Sequence, residues 1–151
     1  MRQIAIIATA FHKTHMDTML EAARSSSKDL GLNIAQEVWV PGCLETPLAV
    51  KRLLRLETID GVVVLGIIER GETKHGMVMG KTVINALIQL QLEHMKPIGI
   101  GILGPDILPD QIAPRLKPYA KGAVEALSDM LRLENIGNKP NERQNTERHP
   151  K

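Results

Sequence analysis

The sequence predicts one α/β domain, a three-layer α/β/α sandwich around a parallel four-stranded sheet. Short apolar segments rich in β-branched residues recur at intervals of roughly 30 residues, each followed by a longer segment with helical spacing. The four predicted strands cover residues 4–10, 34–40, 59–68 and 98–103. Strands that alternate with helices favour a parallel sheet covered by helices on both faces, because the crossovers between them are right-handed.

The four strands differ in how continuous their apolar character is. The first, third and fourth are nearly uninterrupted, as expected of strands that are buried on both faces of a parallel sheet. Segment 34–40 instead carries Gln36 and Glu37. We therefore predict that this segment is an edge strand.

The first predicted helix begins at Thr14 and Asp17, a pair that resembles a capping box, and it ends before Gly31. Its inward face is predicted to consist of the apolar residues at helical spacing: Met16, Met19, Leu20 and Ala23.

Thr46 and Pro47 predict the start of the second helix, with Thr46 as N-cap and proline in the first turn. Thr73 is predicted to cap a long third helix that ends at Pro97. The residues expected to face inward are Leu48, Val50, Leu53 and Leu54 in the second helix, and Val83, Ile84, Leu87, Ile88 and Leu90 in the third.

The last helix is predicted to be interrupted near its start, because Pro114 and Pro118 each remove a backbone donor and clash with the preceding turn. From Tyr119 onward the apolar residues keep a helical period: Ala120, Ala123, Val124, Leu127, Met130 and Leu131.

Composition predicts one domain at residues 1–135 and a polar, flexible tail at residues 136–151. The chain has 151 residues, of which 43% are apolar, enough for one sizeable core. The tail has a single large apolar residue, Ile136, which is too little to build a core of its own.

Charge and aromatic content argue against a nucleic-acid-binding module. The formal net charge is +2, but residues 136–151 alone carry four bases and two acids, so residues 1–135 are neutral. Phe11, Trp39 and Tyr119 are the only aromatic residues, which leaves few rings on which bases could stack.

The chain has the features of a cytoplasmic protein with no membrane attachment. Cys43 is the only cysteine, which excludes an internal disulfide framework. No apolar segment approaches the roughly 20 residues that span a bilayer, and the first residues do not form a secretory signal.

Ligands of parallel α/β sheets bind beyond the carboxyl ends of the strands. This directs attention to the joints at residues 11–14, 41–46, 67–75 and 104–115.

In the third joint, Gly71, Glu72 and Thr73 come where a helix begins, so their backbone amides could bind a phosphate. An ordinary capped helix start explains the same residues. His75 follows in the first turn, either as a group that exchanges protons near neutral pH or as a surface histidine.

The second joint holds Cys43 and Glu45. The Glu45 carboxylate could accept hydrogen bonds from sugar-like hydroxyls or simply favour the helix dipole. Cys43 could be a nucleophile, but small apolar filler is the favoured interpretation.

In the first joint, the Phe11 ring could stack on a planar ligand or cover the edge of the core. His12 and His15 are too few to predict a metal site.

The fourth joint supplies positive charge. Arg115 could clamp a phosphate with its two-pronged guanidinium, and Lys117 and Lys121 add charge nearby. Each of them could equally be a solvated surface residue.

Together, these motifs resemble the 6,7-dimethyl-8-ribityllumazine synthases, the riboflavin synthase beta-chain family, and most closely its archaeal members. The matching features run in the family's order from Phe11 to Leu127. After Phe11 they are PGCLETPLAV, VVLGIIERGETKH, KPIGIGILG, QIAPR and AKGAVEAL. The resemblance implies the flavodoxin-like fold of that family. It also implies a transferase that condenses 5-amino-6-(ribitylamino)uracil with 3,4-dihydroxy-2-butanone 4-phosphate without a cofactor or metal.

The resemblance also assigns roles to the matching positions. It implies that His75 transfers protons and that Glu72, Thr73 and Arg115 bind the phosphate. The remaining matches would bind the pyrimidine ring and its ribityl chain: Phe11, Cys43, Leu44, Glu45, Ile67, Ile68, Glu69 and Ile100. Ile67, Ile68 and Glu69 would act through their backbone. Leu44 and Ile100 replace residues that are commonly aromatic in the family, and His12 replaces a frequent Asn. Pro118 and a shortened segment leave the role of Lys121 open.

The family's active sites lie between adjacent subunits of a pentamer, so the resemblance implies a homo-oligomer with shared sites. Arg115 and the end of the fourth strand would then come from a neighbouring subunit, and riboflavin synthase could be a further partner. Two alternatives stay open at this stage. One is a paralogue in the riboflavin pathway, and the other is a flavin-binding or lumazine-binding module without catalysis.

Overall fold

The computed structural model describes residues 1–138 and contains one parallel four-stranded sheet. The strands are β1 (Gln3–Thr9), β2 (Asn33–Val40), β3 (Gly61–Glu69) and β4 (Ile98–Ile107). Their order across the sheet is β2-β1-β3-β4, with parallel pairing throughout. The predicted strands and fold class are confirmed, and β2 is an edge strand as expected.

Five helices cover the two faces of the sheet within the described residues. They are α1 (Lys13–Asp29), α2 (Thr46–Leu54), α3 (His75–His94), the short α4 (Pro109–Ile112) and α5 (Leu116–Arg132). Successive side chains of a strand point to opposite faces. In β1, Ile4 and Ile6 pack with α1 and α5, whereas Ala5 and Ile7 pack with α2 and α3. The two resulting cores confirm the three-layer arrangement.

The charged residue of β2 is explained by its position at the sheet edge. Arg24 of α1 binds Glu37 with two hydrogen bonds, 2.8 Å from Nε and 2.6 Å from Nη2 to the two carboxylate oxygens. The hydrogen bonds lower the pKa of the Glu37 carboxyl, against a smaller opposing effect of burial. Glu37 therefore links the edge strand β2 to α1 through Arg24.

The predicted capping box at the start of α1 is wrong. The helix begins at Lys13, before Thr14, and no side chain caps it. Asp17 instead forms an ion pair of 2.6 Å with Lys13 on the exposed side of the first turn. The residue at the N-cap position is His12, whose φ of 59° is left-handed. The inward face of α1 is as predicted, because Met16, Met19, Leu20 and Ala23 are buried.

The start of α2 also differs in detail. Thr46 is the first helical residue rather than the N-cap, and its buried hydroxyl donates a 2.7 Å hydrogen bond to the carbonyl of Cys43. This bond fixes the preceding turn, Cys43–Glu45, against the helix.

Some apolar residues predicted to face inward are exposed. Leu48 of α2 is 57% exposed, Ile88 of α3 is 40% exposed and Met130 of α5 is 49% exposed. Helical period alone makes these residues neighbours of the buried ones, but the sheet covers only the narrower stripe that faces it. The remaining inward predictions hold for the residues nearest the sheet, such as Val50, Val83 and Leu87.

The last strand and helix also depart from expectation. β4 continues to Ile107, where it pairs with Glu69 beyond a bulge in the register. The predicted interruption follows as a single 3-10 turn at Ala113–Arg115. Pro118 lies in the first turn of α5, where the helix has no intrahelical hydrogen bond to lose, so this proline does not interrupt it.

The predicted tail lies almost entirely outside the described residues, which end at Asn138. Among residues 1–138, no helix combines the length and the apolar character needed to cross a membrane.

Candidate active site

A cavity of about 400 Å³ opens at the carboxyl ends of β1 and β3. These two strands are neighbours at the centre of the sheet, but the chain leaves them toward opposite edges, β1 toward β2 and β3 toward β4. This is the switch point at which open α/β sheets bind ligands. The predicted site residues that line the cavity are Phe11, Cys43, Leu44, Glu45, Ile67, Ile68, Glu69, Thr73 and His75.

Phe11 and Glu45 flank the same glycine at the rim of the cavity. A Cβ on Gly42 would lie 3.5 Å from the Phe11 ring and 3.4 Å from Oε2 of Glu45. The Phe11 side chain is 68% exposed, so it does not cover the core. An exposed ring next to a carboxylate can bind a planar molecule that carries hydroxyl groups.

Cys43 forms part of the cavity floor and is not an activated nucleophile. Burial raises the pKa of the Cys43 thiol to about 11; the nearby Glu45 carboxylate adds to this, and a hydrogen bond with the backbone of Ile67 opposes it. A thiol with this pKa is neutral near pH 7 and is a poor nucleophile. The structure therefore supports the interpretation of Cys43 as small apolar filler.

The floor also contains a residue that sequence reasoning missed. Thr9 lines the cavity, and its buried hydroxyl has no hydrogen-bond partner among the described residues. Buried hydroxyls are normally hydrogen-bonded to protein or to ordered water. No local sequence signal distinguished this threonine from the apolar residues before it.

The third joint brings His75 to the cavity from the first turn of α3. The prediction that Thr73 caps this helix is wrong, because Lys74 occupies the N-cap position. Thr73 Oγ1 nevertheless accepts a 3.3 Å hydrogen bond from the backbone N–H of His75, the first helical residue. Glycine at position 76 allows this turn to approach β3, since a Cβ there would lie 3.1 Å from the carbonyl oxygen of Glu69. Sequence reasoning did not single out Gly76.

Glu72 does not line this cavity. It lies along a neighbouring groove together with Lys74 and Asp106, on the other side of the same loop. Gly71 and Thr73 border both the cavity and the groove. Of the two predicted phosphate-binding residues in this loop, only Thr73 lines the cavity, while both line the groove.

Three further predicted residues lie away from the cavity. Arg115 is exposed, and its Nη1 donates a 2.8 Å hydrogen bond to the carbonyl of Gln111. Lys121 is exposed on α5 and lies 3.7 Å from Glu125. Ile100 is half-buried in β4 and packs against the core beneath α2 and α3. One chain alone does not bring these side chains to the cavity.

The polar groups of the cavity do not form a metal centre. Within residues 1–138, no three His, Cys, Asp or Glu side chains come together in a group that could hold a metal ion. The rings of His12 and His15 are 6.0 Å apart, but within the described part of the chain they do not belong to a group of three that could hold a metal ion.

Comparison with known proteins agrees with this fold and this order of motifs. The family model described as 6,7-dimethyl-8-ribityllumazine synthase matches residues 1–135. The chain belongs to the lumazine synthase family. Curated relatives named 6,7-dimethyl-8-ribityllumazine synthase cover most of the chain. The relative from Staphylothermus marinus is 37% identical over 131 residues, which is 87% of this chain and 87% of the relative.

Two other members of the lumazine synthase family match to a similar extent. The relative from Methanopyrus kandleri is 37% identical over 86% of this chain and 92% of its own length. The relative from Metallosphaera sedula is 38% identical over 86% of each chain. The archaeal resemblance expected from the sequence is confirmed.

Proposed function

We propose that the chain is an active lumazine synthase, a transferase of riboflavin biosynthesis. It condenses 5-amino-6-(ribitylamino)uracil with 3,4-dihydroxy-2-butanone 4-phosphate, forming 6,7-dimethyl-8-ribityllumazine and releasing phosphate and water. The observation that carries this proposal is a single cavity at the sheet's switch point, lined by the exposed Phe11 ring, the Glu45 carboxylate and His75.

The pyrimidine substrate stacks on Phe11 and is bound along the second joint. The backbone of Cys43 and Leu44 binds the ring, and Glu45 accepts hydrogen bonds from the ribityl hydroxyls. Support comes from the adjacency of Phe11 and Glu45 across Gly42. The ring also contacts the backbone of Ile67, Ile68 and Glu69, and support comes from the fact that all three residues line the cavity.

The butanone phosphate binds at the start of α3. Backbone N–H groups of Glu72 and Thr73 bind its phosphate, where the helix N-terminus favours negative charge. Arg115 adds a two-pronged, charge-assisted contact. Arg115 of the same chain lies outside the cavity, so this contact requires the arginine of a neighbouring subunit.

His75 transfers protons during imine formation, loss of phosphate and ring closure. An imidazole can both give and accept a proton near neutral pH, which is what these successive steps require. The cavity also holds the two substrates next to each other, and this proximity contributes much of the remaining acceleration.

The protein acts as a homo-oligomer, a pentamer with sites shared between adjacent subunits. Support comes from the exposed apolar residues on α2 and α3, which a neighbour would cover: Leu48, Val78, Ile88 and Leu92. Each subunit then contributes Ile100 and Arg115 to the cavity of its neighbour. It also contributes Lys121, whose role stays open. We further propose that it acts in the cytoplasm and that riboflavin synthase uses its product.

Purified protein supplied with both substrates tests the activity. The absorbance and fluorescence of the lumazine should appear at a rate well above that of the spontaneous reaction. Binding of lumazine or riboflavin without this turnover would contradict catalysis and favour a binding module. Light scattering tests the assembly, and a monomer would contradict the shared site.

A further inference from the structure

The cavity contains a side-chain contact that the proposed roles do not use. Nε2 of His12 lies 3.4 Å from Oε1 of Glu69. His12 follows β1 and Glu69 is the last residue of β3, so the contact joins the ends of the two strands that flank the switch point. Both residues line the cavity.

The backbone of His12 is held in a conformation that helix capping does not require. Its φ of 59° and ψ of 51° are left-handed, whereas N-cap residues normally have extended angles, and its side chain makes no capping hydrogen bond. Left-handed non-glycine residues persist where the surroundings favour them, and such residues cluster at functional sites. Here the side chain contacts Glu69 at the cavity wall.

The two side chains have complementary chemistry and are accessible from the cavity. Their side chains are 32% and 35% exposed. A carboxylate only accepts hydrogen bonds, while an imidazole offers an N–H donor and a second nitrogen. Heterocycles of the pyrimidine class carry ring N–H groups next to carbonyl oxygens. An acceptor beside a donor therefore matches such a ring edge.

We propose that the side chains of His12 and Glu69 together bind the polar edge of the heterocyclic ring that stacks on Phe11. Glu69 accepts a hydrogen bond from a ring N–H, and His12 donates one to the adjacent carbonyl. Glu69 thus contributes its carboxylate in addition to its backbone. The inference rests on the proposed function, because it concerns the pyrimidine substrate of that same cavity.

Binding of 6,7-dimethyl-8-ribityllumazine, followed by its fluorescence, tests the pair independently of turnover. Glu69→Gln removes the negative charge and exchanges one of the two acceptor oxygens for an NH2 donor. His12→Gly removes the donor while keeping the left-handed backbone accessible. Glu69→Gln should raise the Kd for the lumazine by about tenfold, the loss expected of one hydrogen bond to a charged group. His12→Gly should raise it by about two- to tenfold, the loss expected of a hydrogen bond between neutral groups. His12→Asn keeps an N–H donor and tolerates the left-handed backbone, so it should retain most of the affinity.

The double variant tests whether the residues act as a unit. Relative to the wild type, its Kd should be raised by less than the product of the two single-variant effects, since each residue orients the other. Steady-state kinetics should show a raised KM for the pyrimidine substrate and an unchanged KM for the butanone phosphate. Asp17→Asn, which alters an exposed ion pair in the first turn of α1 outside the cavity, is the control and should leave both constants unchanged.

The outcomes separate this inference from the proposed function. If the wild-type protein is active and both single variants bind the lumazine normally, the proposed role of His12 and Glu69 is overturned while the proposed function stands. An effect confined to the KM for the butanone phosphate would overturn the same role. A wild-type protein that binds the lumazine but does not turn over the substrates would overturn the proposed catalysis. Raised Kd values of the variants would support the pair even then.

Discussion

The sulfur of Cys43 lies against Gly66, in the middle of β3. A Cβ on this glycine would approach Sγ to 2.8 Å and the methyl carbon of Thr9 to 3.3 Å. The contact joins the second joint to the two central strands directly beneath the cavity. A glycine is therefore required at position 66 by packing and not by backbone conformation.

Substitution of Gly66 by Ala should destabilise the protein and disturb the cavity floor. The added methyl group should lower the free energy of unfolding by about 1–3 kcal/mol, as is typical of overpacking in a core. Urea denaturation measures this change in the free energy of unfolding.

Gly122→Ala is a matched control, since a Cβ there meets nothing within 4 Å. Gly122 lies in α5, so alanine should raise the free energy of unfolding by roughly 0.5–1 kcal/mol. Equal stability of the two variants would contradict the packing argument.

Cys43 should resist alkylation in the folded protein. Its pKa of about 11 leaves the thiol neutral at pH 8, and burial restricts access to it. Iodoacetamide at pH 8, followed by mass spectrometry, should modify Cys43 only after unfolding in urea. Cys43→Ala should retain turnover, because the proposed role of this residue belongs to its backbone. Rapid modification of the folded protein would show that the thiol is activated.

His75→Ala should slow the condensation by about 100-fold, the lower end of what a positioned proton donor contributes. His75→Asn preserves a hydrogen-bonding side chain but cannot transfer a proton at neutral pH, so it should be similarly slow. Single-turnover rates measure the effect, and light scattering should show an unchanged assembly. Unchanged turnover would remove His75 from the mechanism.

Arg115→Ala should mainly raise the KM for the butanone phosphate, by about tenfold, because it removes a charge-assisted phosphate contact. Arg115→Lys should restore part of the affinity as a point charge without the two-pronged geometry. Arg132→Ala, at the far end of α5, is the control and should leave both KM values unchanged. An effect confined to the pyrimidine substrate would contradict the assignment.

The ion pair between Arg24 and Glu37 should stabilise the protein near neutral pH and not in acid. The pKa of Glu37 is lowered in the folded state, so its contribution is present above the pKa of the unfolded chain. The contribution is lost as the pH falls through the lowered, folded-state pKa. Glu37→Gln should therefore cost at most about 1 kcal/mol at pH 7, as expected of an exposed pair, and less in acid.

Urea denaturation at several pH values measures this difference. Glu57→Gln serves as the control, since Glu57 is an exposed residue in the connection between α2 and β3. A cost of Glu37→Gln that does not shrink as the pH falls would show that the carboxylate does not stabilise the edge strand through its charge.

The sequence predicted the strands and the joints well because burial and chain direction leave clear signals. A strand buried on both faces must be almost wholly apolar, which identified β1, β3 and β4. The joints after parallel strands meet at one edge of the sheet, which brought Phe11, Glu45 and His75 to one cavity. Cap assignments were less reliable, because a threonine near a helix start can lie at several positions of the first turn, as Thr14 and Thr46 do.

The sequence by itself determined the fold class, the family and most residues of the cavity, since these follow from local pattern and motif order. Tertiary structure alone decided the strand order that makes β1 and β3 neighbours, and hence the contact between His12 and Glu69. It also decided that Leu48 and Ile88 face outward and that Arg115 lies away from the cavity of its own chain. The physical reason is that these relationships join segments distant along the chain, so no local periodicity or spacing encodes them.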